Sequence, residues 1–218
     1  MYRVNDIYHT VQGEGAMTGV SMALVRLHGC DVGCSFCDTK ETWAIPDKRV
    51  DTLTDALGVN ANYATASADG VCGYVVKHCP DKWVMITGGE PMEQNLGPLV
   101  CAFKKADINV TVETSGTVRP NWGSDRPHWV TVSPKEDKPV FLETMQEADE
   151  LKFVVGRQYD IDRMEKELRR LPKQFSAPVY LQPVSQSDKA TQLCLDTVKA
   201  SRGRYRLSIQ VHKQIGIL

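Results

Sequence analysis

Short apolar runs alternate along this chain with stretches whose apolar residues recur at helical spacing. Met22–Leu27, Trp83–Thr87, Trp129–Val132, Leu151–Val155 and Val179–Gln182 have the length and composition of buried strands, and Ile108–Glu113 alternates apolar and polar in the manner of a strand. Between them, Glu93–Ala106 sets Leu96, Leu99, Val100 and Phe103 on one helical face. Ile161–Leu171 reads as a strongly charged helix stopped by Pro172, and Ser187–Ser201 as a helix capped by Ser187 or Asp188. Tyr205–Gln210 closes the series as a strand. Strand, helix, strand, repeated, predicts parallel βαβ units. Asp51–His78 does not fit the scheme, and its small-residue stretch Asn60–Gly73 reads as a loop or a helical insertion. No repeat, low-complexity tract or inter-domain linker interrupts the pattern.

The unusual residues fall after the strands. Thr87-Gly88-Gly89-Glu90, Glu113-Thr114-Ser115-Gly116, Ser133-Pro134-Lys135 and Gln182-Pro183-Val184 each follow a predicted strand. Each alone could be an ordinary βα turn. Four together predict one shared site, because a parallel barrel carries its functional face at the carboxyl ends of its strands.

The chain has 218 residues, enough for one sizeable domain with its own core. Its 26 basic and 27 acidic residues nearly cancel, which argues against a broad nucleic-acid or membrane footprint. The one basic run, Arg202 to Arg206 around Tyr205, reads as a solvated helix end. No apolar stretch reaches the roughly 18–20 residues of a membrane span, and MYRVNDIYHT lacks a signal core, so a cytoplasmic protein is expected.

Three of the seven cysteines crowd into Cys30–Cys37 as C-x3-C-x2-C, on a loop leaving a strand. In a reducing compartment such a cluster points to metal binding or catalysis rather than to disulfides. Thiolates suit iron–sulfur clusters or zinc. Structural zinc needs four protein ligands, and here His28 or a distant cysteine would have to supply the fourth. A four-iron cube held by three cysteines keeps one iron open to an outside ligand. Cys72 and Cys79, separated by six residues, have no standard ligand spacing, Cys101 and Cys194 sit on predicted helices, and all four read as structural thiols.

C-x3-C-x2-C with Phe36 before Cys37 resembles the signature of the radical S-adenosylmethionine superfamily, and Gly88-Gly89-Glu90-Pro91 resembles that superfamily's GGEP motif, which contacts the methionine amino group. More narrowly, the chain resembles the 7-carboxy-7-deazaguanine synthase family. The resemblance rests on Gln12-Gly13-Glu14-Gly15, Arg26-Leu27-His28-Gly29-Cys30, Cys37-Asp38-Thr39, Thr42-Trp43, Thr87–Pro91, Glu113–Thr117 and Ser133–Lys135, and it spans essentially the whole chain. Asp51–Asp81 carries no motif to align.

The resemblance implies an α/β fold: an incomplete (β/α) barrel of the radical S-adenosylmethionine type, as a single domain over 1–218 with an insertion around 51–81. It implies a 4Fe-4S cluster on Cys30, Cys34 and Cys37. Phe36, Asp38, Gly89, Ser133, Pro134, Lys135 and Gln182 would line the S-adenosylmethionine site. Gln12, Gly13, Glu14, Arg26 and Thr87 would hold a pterin, and Thr39 would offer its hydroxyl to Mg2+. Glu113 would line the pocket or bond the Thr114-Ser115 backbone. The implied reaction is a ring contraction of 6-carboxy-5,6,7,8-tetrahydropterin to 7-carboxy-7-deazaguanine with loss of ammonia, in queuosine or deazapurine biosynthesis. A flavodoxin or ferredoxin would donate the electron, a homodimer is implied, and no protein acid or base is required. Two other readings compete. An activase that places a glycyl radical on a partner protein would share the cysteines but leave Gln12–Gly15 and Thr39 unexplained. A small electron-transfer module would be expected to have a fourth cysteine.

Overall fold

The computed structural model describes residues 1–44, 53, 63–136, 138–184 and 187–217. Nine strands form one sheet, in the order β3-β1-β2-β4-β5-β6-β7-β8-β9. They are β1 (Tyr2–Val11), β2 (Ser21–Leu27), β3 (Ala64–Ala66), β4 (Trp83–Gly88), β5 (Asn109–Thr114), β6 (Trp129–Val132), β7 (Glu150–Val155), β8 (Val179–Pro183) and β9 (Tyr205–Leu207). β1 pairs antiparallel with β2 and β3, and every pairing from β2 through β9 is parallel. The end strands β3 and β9 do not pair with each other, so the sheet curls without closing. Each is only three residues long, which leaves little unpaired backbone at either edge. The expected incomplete barrel is the architecture found.

Six helices are described: α1 (Ala68–His78), α2 (Gly97–Lys105), α3 (Leu142–Gln146), α4 (Gln158–Leu168), α5 (Asp188–Ala200) and α6 (Val211–Ile215). α1 packs on α2, α2 on β5, α4 on β7, and α5 on β8 and β9. Within the strands, alternate residues serve two environments. Ala23, Val25 and Leu27 of β2, Val84 and Ile86 of β4, Val110 and Val112 of β5, and Leu151, Phe153 and Val155 of β7 join the large core shared with the helices. The residues between them, among them Arg26, Thr87, Glu113 and Lys152, line a cavity on the other face. Met22, Leu24 and Met85 close the floor beneath it as a small separate core.

Several boundaries differ from the sequence reading. The helix expected over Glu93–Ala106 begins only at Gly97, because Pro91–Glu93 forms a separate 3₁₀ turn whose Glu90 side chain caps Met92 N. The helix expected at Ile161–Leu171 runs Gln158–Leu168, and at its start the Asp160 carboxylate accepts from Arg157 N at 3.0 Å and Gly156 N at 2.8 Å. The last strand stops at Leu207, and Val211–Ile215 is a helix. Ser187 caps α5 through Ala190 N, as expected. Within the basic run, Arg202 takes a left-handed φ of 53° after α5, while Tyr205 is buried at the start of β9. Part of Asp51–His78 lies outside the described residues; the described part supplies β3 and α1, with Ser67 capping α1 through Gly70 N.

Candidate active site

The carboxyl ends of β2, β4, β5, β6, β7 and β8 open into one cavity of about 610 Å³. Each strand delivers side chains to it by the same alternation, and the loops beyond the strands complete the walls. Cys30, Cys34, Phe36, Cys37, Asp38 and Thr39 come from the loop after β2; Gly88 and Gly89 end β4; Ser115, Ser133, Lys135, Gln182 and Pro183 follow in order around the sheet. Every sequence-selected residue lines this cavity except Pro134, which lines a neighbouring surface pocket with Lys138 and Arg163.

The cysteine loop is set by backbone contacts. Glu90 N donates to Gly29 O at 2.9 Å and Gly89 N to Leu27 O at 3.0 Å, which fastens the end of β4 to the start of the loop. A Cβ at Gly89 would meet Gly29 O and Cys30 Cβ, so only glycine allows this approach. All three cysteines are half-buried free thiols. Burial raises the Cys30 and Cys34 pKa values, but backbone N–H groups of Val32 and Gly33 on Cys30, and the Lys135 ammonium near Cys34, act the other way. Thr39 N donates to Cys37 Sγ at 3.4 Å. Burial is the larger effect for Cys30 and Cys34, so both pKa values lie above the ordinary thiol value. Among the described residues no three His, Cys, Asp or Glu side chains gather as a single-ion site. His28 is no fourth ligand: it is fully buried, with Nε2 2.6 Å from Ala44 O, Nδ1 3.4 Å from Asn5 Nδ2, and its ring stacked on Tyr63.

Glu90 is buried to 1% exposure and acts as a bolt. Its carboxylate accepts from Met92 N at 3.0 Å, Thr114 Oγ1 at 2.7 Å, Ser115 N at 2.8 Å and the Ser115 hydroxyl. The Thr114-Ser115 turn is thus held by Glu90, and Glu113 is left to face the cavity. There Glu113 accepts from Gln12 Nε2 at 2.7 Å and from Lys152 Nζ at 3.0 Å.

The opposite wall is a buried polar network. Lys152 bridges Glu113 and Glu14, and Gln210 Nε2 donates to Glu14 at 2.7 Å. Burial opposes the charge of Glu14, but Lys152, Gln210 and His212 outweigh it and hold its pKa at about 2. Burial likewise opposes the charge of Lys152, and Glu113 and Glu14 together keep its pKa above the ordinary lysine value. Lys135 donates to Ser133 Oγ at 2.8 Å and lies 6.0 Å from the Phe36 ring centroid; burial, followed by the like charge of Lys152, lowers its pKa. Arg26 Nη2 donates to Tyr8 OH at 3.0 Å. Gln182 accepts from Ser208 Oγ at 2.9 Å, and Ser208 accepts from Gly15 N at 3.0 Å. The segment after β9 crosses the mouth: Val211 N donates to Gly13 O, Lys213 pairs with Asp38 at 3.1 Å, and a Cβ on Gly13 would strike His212.

No protein-family model matches the chain. The 7-carboxy-7-deazaguanine synthase of Escherichia coli (strain K12) is 37% identical over 229 residues, covering 99% of both chains. The chain belongs to the 7-carboxy-7-deazaguanine synthase family. The family member of Synechocystis is 31% identical over 99% of this chain, and that of Buchnera aphidicola 30% over 99%. A crystal structure of QueE from Escherichia coli superposes with a TM-score of 0.88 at 36% identity, covering 97% of this chain and 94% of that one. It bears out the incomplete barrel of a 7-carboxy-7-deazaguanine synthase. Lys152, Gln210, His212 and Lys213 also line the site and were not singled out from sequence. A lone lysine inside the apolar run Leu151–Val155 was the available signal for the first. The other three follow β9, where the strand reading ran on to Gln210.

Proposed function

We propose that this family member converts 6-carboxy-5,6,7,8-tetrahydropterin to 7-carboxy-7-deazaguanine with loss of ammonia, and that it does so in the cavity at the strand ends. One observation carries the reading: the cysteine loop, the Gly88-Gly89 turn and the Glu14–Glu113 pair, distant in sequence, wall the same cavity. Cys30, Cys34 and Cys37 would hold the 4Fe-4S cluster, whose chemistry when bound is one-electron reductive cleavage of S-adenosylmethionine. Phe36, Asp38, Gly89, Ser133, Lys135 and Gln182 would seat that cofactor, with Pro134 supporting them from behind.

The chain's own residues divide the remaining work. The Glu14 and Glu113 carboxylates, which accept from Lys152 here, suit the amino and ring N–H donors of a pterin. Gln12 and Gly13 fix the height of that edge, and Thr87 lies beside Arg26 at the parallel register between β4 and β2. The Arg26 guanidinium offers a forked donor to a carboxylate. The α6 segment across the mouth would exclude water from a reactive intermediate. The Thr39 hydroxyl makes no cap to the Lys40–Thr42 turn and lies 3.7 Å from Cys37 Sγ; it would exchange that sulfur contact for a hard cation such as Mg2+. A flavodoxin or ferredoxin as electron donor, a homodimer and a cytoplasmic setting complete the proposal. No described helix is long and apolar enough to cross a membrane.

Anaerobically reconstituted, reduced protein should form 5′-deoxyadenosine and the deazapurine only when the carboxy-tetrahydropterin is supplied. 5′-Deoxyadenosine formed equally without the pterin would overturn the substrate assignment. Thr39→Ala should lose its response to Mg2+; an unchanged Mg2+ titration would remove Thr39 from that role.

A further inference from the structure

We infer that Lys152 is the positioning residue of the substrate pocket, and that it works by pairing with Glu14 and Glu113 together and aiming both carboxylates at the same face of the ligand. The inference rests on the functional reading above and deepens it. Lys152 sits on β7, with its side chain 4% exposed, and its ammonium reaches two carboxylates from separate parts of the sheet: Glu14, beyond β1, and Glu113, on β5. Two partly buried carboxylates on one wall repel each other, and without a counter-ion they would swing apart or share a proton. A protonated carboxyl presents an O–H donor where the pterin presents N–H donors, so one contact of the pair would be lost.

The neighbouring charges leave Lys152 as the group suited to this task. Lys135 faces the same space but bonds Ser133. Glu150, on the same strand, is tied to Ala16 N and Thr131 Oγ1. His212 lies on the Glu14 side, beside Gly13. Gln12 is neutral and bridges Glu113 to Glu14 N, donating 2.7 Å to the first and accepting at 3.1 Å from the second. Lys152 is thus the cation bonded to both carboxylates.

Lys152→Met keeps most of the volume and removes the charge. In the reconstituted enzyme it should raise the KM for the carboxy-tetrahydropterin by about thirty-fold or more, the scale of stripping a counter-ion from a buried charge pair. Iron content and S-adenosylmethionine affinity should stay at wild-type values. Glu113→Gln relieves the repulsion by another route, so the Lys152→Met effect should be several-fold smaller in a Glu113→Gln background. A pterin KM unchanged in Lys152→Met, or an equal effect in both backgrounds, overturns the inference. Should Lys152→Met not hold its cluster, Lys152→Gln takes its place in the same cycle with the same two outcomes. Wild-type enzyme that fails to turn over the pterin would instead overturn the functional reading beneath it.

Discussion

At the scale of single residues, the site depends on a few buried groups whose bonds cannot be replaced by water. Glu90 is the clearest. Its carboxylate satisfies two backbone N–H groups and two hydroxyls that have no solvent to turn to. Glu90→Ala would leave Met92 N, Ser115 N and the Thr114 hydroxyl without that acceptor, while the Ser115 hydroxyl keeps Thr117 Oγ1 at 2.8 Å, at a cost of about 3 kcal/mol or more. Denaturant unfolding of the cluster-free protein should show that loss as a lower midpoint with unchanged slope. A midpoint at the wild-type value would mean that the Thr114-Ser115 turn does not rely on Glu90. The motif residue is therefore structural in this chain as well as adjacent to the cofactor wall, something the string Gly88-Gly89-Glu90-Pro91 alone does not reveal. The same holds for His28, whose buried, fully engaged ring turns a possible metal ligand into a packing residue.

At the scale of elements, legibility followed burial. The central strands were readable because their outward-facing residues are continuously apolar, and Trp129–Val132 matched to the residue. β1 was not legible from periodicity: Tyr2–Val11 mixes charged and apolar residues, since it pairs antiparallel and one of its faces is partly exposed. β3 and α6 are too short to carry a period. The three cysteines were legible as a local string, whereas Lys152 was not, because its partners lie 39 and 138 residues away. Glu150 belongs to the same class. It receives Ala16 N at 2.8 Å, so β7 anchors the Gly15–Met17 turn that follows the Gln12–Glu14 segment. Glu150→Ala should free that turn and raise the pterin KM about ten-fold, on the scale of one lost buried hydrogen bond. S-adenosylmethionine binding, which depends on the other wall, should be unaffected. Equal weakening of both ligands would show that Glu150 supports the whole barrel rather than this turn.

At the scale of the molecule, the Glu14–Lys152–Glu113 bridge joins the antiparallel edge of the sheet to its parallel centre across an open barrel that backbone pairing does not close. Such a cross-link should leave a signature in acid. Glu14 carries a pKa near 2 in the fold against an ordinary value of 4.5, because its counter-ion and hydrogen bonds outweigh burial. A carboxyl depressed on folding adds stability that is complete above its unfolded pKa and disappears as the pH falls toward the folded one. Urea unfolding of cluster-free wild-type and Glu14→Gln proteins tests this directly. The wild-type advantage should be constant from about pH 5.5 to 8, then shrink between about pH 4.5 and 2 as the carboxylate is titrated. An advantage that persists undiminished at the acid end would mean that Glu14 is held by shape and hydrogen bonding rather than by its charge. The predicted convergence would make the polar wall of the active site a structural seam of the open sheet as well, with the same lysine serving both.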